Sequence, residues 1–272
     1  MNMKKNTIKT MLNGLIVGST MLVPGVSGGS MAMLLGIYDR LVHSISSFTK
    51  DMKENFLFLV LFSIGGLLGM ILFASPLLRL IELYTIPMLY LFIGIVAGGV
   101  PMMYEKSGVK KIDLDSFLYF MLGFVSIFLV SALPSDLFPK QTNLSGIGLV
   151  FLIMAGFTAA IALVLPGISV SYMLLLMGIY EETMKAVSRL YLPYLIPLGI
   201  GVFLGIILTT KLLEQAMQQH PKATYLVILG FVIGSIAEVF PGIPTRSELL
   251  ICFLTLIAGF LCIHFISKLQ KI

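Results

Sequence analysis

The sequence predicts an all-α integral membrane protein made of two inverted-topology repeats, each a re-entrant helical hairpin followed by three transmembrane helices. Three observations lead there. Of the 272 residues, 58% are hydrophobic and 11% charged, with a mean hydropathy of +1.02, whereas about a quarter of a soluble domain is charged. A motif with two membrane-buried helix breakers recurs in the second half. Finally, the basic residues divide unevenly between the two sides only if each motif folds back on itself.

The first repeat is expected over 1–136. Lys4, Lys5 and Lys9 precede an apolar run that could pass for a signal peptide, but the run enters the repeated motif and no small-residue cleavage site follows, so it is read as retained. A re-entrant hairpin is assigned to 8–48, then spans at 56–75, 87–103 and 117–133. The second repeat, 137–272, has its hairpin at 147–190 and spans at 193–210, 225–240 and 249–266. These runs approach the ~20 residues that cross about 30 Å of hydrocarbon as helix. The run at 147–165 is long enough to span alone, so the second hairpin could reach deeper than the first.

Superposing 14–46 on 156–188, a constant offset of 142, aligns Pro24 with Pro166, Gly25 with Gly167, Ser27 with Ser169, Gly36 with Gly178 and Tyr38 with Tyr180. At an offset of 136, Gly65, Gly69, Gly94 and Gly98 meet Gly201, Gly205, Gly230 and Gly234, so the duplication runs beyond the motif. Glycines four apart are common where membrane helices approach closely and are weak evidence alone. With hairpins, thirteen basic residues fall on one side and five on the other; single crossings give nine and nine. The first division satisfies the positive-inside rule with both termini cytoplasmic. Three spans between the hairpins, an odd number, invert the second half relative to the first.

Each motif carries its own chemistry. Pro24-Gly25 and Pro166-Gly167 stop a helix, and Ser27 and Ser169 are suited to cap a new one whose first turn holds Gly28, Gly29 and Ser30, or Val170 and Ser171. Non-helical backbone in a bilayer survives only where protein buries it or a wet cavity receives it. New helix starts, with free N–H groups, hydroxyls and small residues, suit an anion such as phosphate. The bland alternative is a kink with serines bonded back to their own helices. About twelve residues on, Asp39, Arg40 and His43 correspond to Glu181, Glu182 and Lys185. Asp39 and Glu181 could bind and release a proton, and Arg40 could neutralise a phosphate, if they line the cavity; Glu182 and Lys185 read better as interfacial charges. Arg79 and Arg246 flank outer span ends, where they could admit an anionic headgroup.

Other classes find little support. The basic residues form no stripe for nucleic acid. Cys252 and Cys262, ten apart on one predicted helix, lie roughly 15 Å apart and cannot bridge. His43, His220 and His264 are scattered, with none in a break, which leaves a hydrolase short of an acid/base partner. No metal or cofactor is expected.

The paired motifs Pro-Gly-Val-Ser-Gly-Gly-Ser with Gly-Ile-Tyr-Asp, and Pro-Gly-Ile-Ser-Val-Ser with Gly-Ile-Tyr-Glu, resemble the bacterial polyprenyl-phosphate (undecaprenyl-phosphate) translocase family over essentially the whole chain. The resemblance implies a plasma-membrane flippase that returns undecaprenyl phosphate from the outer to the inner leaflet for reuse in peptidoglycan and other envelope polymers. Its matching residues here are Pro24 to Ser30 with Tyr38 and Asp39, and Pro166 to Ser171 with Tyr180 and Glu181. Val170 stands where the first copy has Gly28, which weakens anion contact there or shifts it to Ser171. The expected site is therefore Ser27, Gly28, Gly29, Ser30, Arg40, Ser169, Val170 and Ser171 for substrate, with Tyr38, Asp39, Tyr180 and Glu181 for coupling or gating. The partners are the lipid phosphate, surrounding membrane lipids and protons as coupling ion. A polyprenyl-diphosphate phosphatase and a carrier of a small soluble anion are the rival readings.

Overall fold

The structure is a computed structural model that describes residues 2–21, 27–111, 113–133 and 146–270. Pro24 and Gly25 lie outside the described residues. Among those described, the chain forms twelve helices and no strand. The first six are α1 (Asn2–Thr20), α2 (Gly28–Leu34), α3 (Tyr38–Ser46), α4 (Met52–Leu83), α5 (Thr85–Lys106) and α6 (Leu114–Ser131). The second six are α7 (Gly146–Val164), α8 (Val170–Leu176), α9 (Tyr180–Ser188), α10 (Leu192–Gln219), α11 (Pro221–Val239) and α12 (Leu249–Gln270).

Two features differ from the expected spans. The limb after each break is not one helix but two short ones, α2 with α3 and α8 with α9. The physical reason is a glycine in left-handed backbone, Gly36 at φ 67° and Gly178 at φ 68°. The Ile37 N–H donates to Ala32 O at 3.0 Å and the Gly36 N–H to Met33 O at 2.9 Å, and Ile179 and Gly178 repeat the pair on Leu174 and Leu175. This crossed pair of bonds closes a helix C-terminus and needs a residue that tolerates positive φ. The Gly-Ile-Tyr motif is thus a helix stop followed by a new start. Second, α4 and α10 run on to Leu83 and Gln219, past the ends expected for their spans.

Five helices are long and apolar enough to cross a membrane by length and composition: α4, α5, α7, α10 and α12. The helices α6 and α11 are apolar but shorter. Large apolar side chains stand exposed along them, including Leu67, Ile71, Leu122 and Phe253. In water such a surface would be an association hazard; in a bilayer it is the lipid-facing belt. The chain is an integral membrane protein.

Glycines set the packing. In α1–α4, a Cβ on Gly65 would lie 2.2 Å from Met11 O, and in α7–α10 a Cβ on Gly201 would lie 2.0 Å from Ile153 O. Each glycine, and the carbonyl it faces, is the repeat partner of the other. The same holds across the halves, where α5 runs along α12 and α11 along α6. There a Cβ on Gly94 would meet Leu256 O at 2.1 Å, and one on Gly230 would meet Phe120 O at 2.3 Å. Backbones this close leave no room for a side chain, which is how membrane helices gain dispersion contact without a hydrophobic drive.

The hairpins occupy opposite ends of this bundle. Lys106, the last residue of α5, reaches Asp39 of α3 at 2.5 Å, and Glu214 near the end of α10 holds His43 of α3 at 2.5 Å. At that same end Asp113 caps α6, accepting from Ser116 N at 2.9 Å, and pairs with Lys222 of α11 at 2.7 Å. Lys222, with help from Ser116, holds the Asp113 carboxyl well below the usual carboxylate range. At the far end of α6, the Tyr172 hydroxyl of α8 donates to Val130 O at 3.2 Å and Leu133 O at 3.4 Å. This is the arrangement that an inverted repeat requires.

Substituting Gly65 by Val should lower thermal stability in detergent by about 1–3 kcal/mol or more, because overpacking moves two backbones apart. Gly199→Ala, with open space at its Cβ, should melt within error of wild type. Equal melting of the two variants would rule out the close α1–α4 seam.

Candidate functional site

Ser27 precedes α2 in extended backbone, and its Oγ accepts from Ser30 N at 3.0 Å. Ser169 precedes α8 in the same way and accepts from Tyr172 N at 3.4 Å. Both serines are the N-caps that their positions predict. Among the described residues, the first two N–H groups of each short helix, on Gly28 and Gly29 and on Val170 and Ser171, have no backbone partner.

The cap of the first short helix touches the second break. The Gly167 N–H donates to Ser27 Oγ at 3.1 Å, across 140 residues of sequence. Ser27 Oγ also lies 2.8 Å from Ser30 Oγ. With both Ser27 lone pairs engaged by the two amides, its own hydrogen points to Ser30, which leaves the Ser30 hydroxyl hydrogen as the donor still available. A Cβ added at Gly29 would lie 3.2 Å from Val164 O at the end of α7, so a larger residue there requires that carbonyl to give by a few tenths of an ångström.

The second break is closed from the first half as well. Pro166 brings no N–H and Gly167 turns in left-handed backbone at φ 89°, so the last carbonyls of α7 lose their helical partners. The Tyr38 hydroxyl takes one of them, donating to Val164 O at 2.8 Å. Tyr38 is 2% exposed and Ser30 is 3% exposed, and Pro166 and Gly167 are buried with them. A Cβ on Gly167 would strike Phe231 O at 2.6 Å, which makes glycine necessary on two independent counts. The broken backbone is therefore held by protein and not left to lipid.

The other expected residues fall elsewhere. Asp39 Oδ2 accepts from Lys106, while its Oδ1 is buried without a hydrogen bond of good geometry and Tyr225 lies against the same carboxylate. Arg40 stands at the α3 end of the bundle, 3.7 Å from Glu54 and over the Phe58 ring, with 46% of its side chain exposed. Ser171 and Glu181 are exposed, Val170 and Tyr180 half-buried. Glu182 pairs with Lys185 within α9 at 3.0 Å. Sequence reasoning missed Glu214, which binds His43 and Ser46 of α3 and Ser47 just after it. An acid late in an otherwise apolar helix was the signal available for it.

The class defined by this arrangement is a multi-pass helical membrane protein with two interrupted segments meeting inside it, as found in secondary transporters. Residues 17–251 match the family model described as undecaprenyl phosphate translocase-like. A polyprenyl-phosphate transporter of Staphylococcus aureus (strain NCTC 8325 / PS 47) is 34% identical over 92% of each chain. A polyprenyl-phosphate transporter of Vibrio cholerae serotype O1 (strain ATCC 39315 / El Tor Inaba N16961) is 30% identical, over 89% of this chain and 80% of its own. No solved structure matches significantly. The chain belongs to the undecaprenyl phosphate translocase-like family.

Removing the Tyr38 hydroxyl by Tyr38→Phe should orphan a buried carbonyl and cost about 1–3 kcal/mol. Thermal melting of the detergent-purified protein measures it. Tyr180→Phe, whose hydroxyl makes no hydrogen bond among the described residues, should leave the melt unchanged; a larger effect there than at Tyr38 would contradict the bonding described.

Proposed function

We propose that the protein transports polyprenyl phosphate, returning undecaprenyl phosphate from the outer to the inner leaflet of the bacterial plasma membrane for reuse in peptidoglycan and other envelope polymers. The observation that carries this reading is the contact of the two breaks, Ser27 Oγ to Gly167 N at 3.1 Å. It puts the unpaired N–H groups of Gly28 and Gly29, the Ser30 hydroxyl and the start of the second break in one place. Such donors suit the oxygens of a phosphate monoester, and Val170 N and Ser171 add a second-half contribution. The isoprenoid tail stays among lipid chains. The names of the two curated relatives point to the same lipid class.

Transport then follows by alternating access, the two halves rocking about the junction so that the headgroup faces one leaflet at a time. The uneven division of basic residues supports a cytoplasmic location for the α3 end and both termini. Arg40 meets the headgroup at that end and not in the cradle, since it stands beside Glu54. Protonation of Asp39, releasing Lys106, or of Glu181 couples the step to the proton gradient; vesicles whose flipping ignores an imposed pH difference would remove this coupling. A hydrolytic role is disfavoured by the use of the histidines: His43 is bound by Glu214 and His264 stacks on Phe260. Neither is bonded to a serine of the breaks.

The test is a liposome flip assay with short-chain polyprenyl phosphate. Ser27→Ala uncaps α2 and strands the Gly167 amide, so flipping should slow about tenfold or more. Ser169→Ala should slow it less, because its cap bond is longer, and Arg40→Ala should weaken release. If all three variants that elute as folded protein flip lipid like wild type, this site assignment fails.

A further inference from the structure

The two halves repeat each other in sequence and in packing, yet the two hairpins are not equally closed. In the first half, α3 is seated on α10 of the other half, where Glu214 takes His43, Ser46 and Ser47, and Gln218 donates to Glu214 at 3.3 Å. Asp39 is paired with Lys106, and Ser267 of α12 donates to Leu34 O at the end of α2 at 3.2 Å. In the second half, α9 packs on α8 and α10 of its own half and has no comparable seat on α4. Glu181, Arg189, Glu82 and Arg246 are all exposed and carry no side-chain hydrogen bond or ion pair among the described residues. Lys185 is exposed and bonded only within its helix.

The repeat register says what these free charges correspond to. By the offset of 142, His43 maps onto Lys185 and Asp39 onto Glu181; by the offset of 136, Gln218 maps onto Glu82, one turn from the counterpart of Glu214. A base on the short helix and an acid on the long one thus occur in both halves, joined in one and apart in the other. Arg246, in the segment that follows α11, lies four residues past Gly242, the counterpart by the offset of 136 of Lys106 at the end of α5. Lysine is longer than histidine, so it reaches the acid one turn further along.

We infer that Glu82 and Lys185, supported by Arg189 and by the pair Glu181–Arg246, form a second latch that closes α9 onto α4 when the α3 latch opens. The structure is the state closed at the α3 end. Exchange of the two latches gives the opposite state with no new architecture, since each half adopts the conformation its twin already has. This inference rests on the transport reading and assigns its gates: each latch breaks as the other forms, and substrate at the junction faces whichever end is open.

Cross-linking tests it without substrate. In protein with Cys252 and Cys262 replaced by alanine, the pairs His43→Cys with Glu214→Cys and Lys185→Cys with Glu82→Cys are treated with a short bis-maleimide in proteoliposomes. Both pairs should cross-link, and either cross-link should stop flipping of short-chain polyprenyl phosphate. A second arm keeps the native cysteines: Glu82→Lys and Lys185→Glu should each slow flipping several-fold, and the double reversal should restore it. Absence of the Lys185–Glu82 cross-link where the His43–Glu214 one forms would overturn the second latch, as would a double reversal no faster than the single variants. Cross-linking of both pairs in protein that flips no polyprenyl phosphate would leave the latches standing and remove the substrate reading instead.

Discussion

A backbone that leaves the helix inside a membrane must have its amides and carbonyls bonded by the protein itself, and the rest of this structure is arranged around that requirement. Two breaks raise the demand twice. Here the first half meets part of the second half's demand, supplying Ser27 Oγ for the Gly167 amide and the Tyr38 hydroxyl for Val164 O. The junction therefore draws on both repeats, gathering Ser27, Ser30 and Tyr38 of the first half around Gly167 and the end of α7.

The scaffold that brings the breaks together depends on the absence of side chains. Four long helix pairs approach until carbonyl oxygens stand where Cβ atoms would be, α1 with α4, α7 with α10, α5 with α12 and α6 with α11. Two of these pairs lie within a half and two join the halves. The first kind makes each hairpin and its long helix a unit, and the second ties the units about a shared axis. Lipid faces the remainder, where bulky apolar side chains are exposed without cost.

Repetition with unequal closure is what a two-state carrier needs. The packing seams repeat between the halves, while α3 is tied to α5 and α10 by ion pairs and α9 carries only the Glu182–Lys185 pair within its own helix among the described residues. An element with two packings of similar free energy can be biased by a single ion pair, provided that the pairs exclude each other.

The sequence by itself determined the membrane class, the two broken motifs, the serine caps and the glycine repeat, because hydropathy, helix breakers and caps are local properties that composition and spacing carry directly. It left two matters undecided. That the second limb of each hairpin splits at Gly36 and Gly178 was written in the Gly-Ile-Tyr motif, but a glycine in an apolar run does not announce positive φ until the Schellman bonds are seen. Which groups meet across the repeats was not written anywhere locally. That Ser27 binds Gly167, that Asp39 faces Lys106 and Arg40 does not join them, and that Glu214 gathers α3, depend on contacts between residues far apart in the chain. Only tertiary structure decided these, since a hydrogen bond's partner is fixed by where whole helices come to rest.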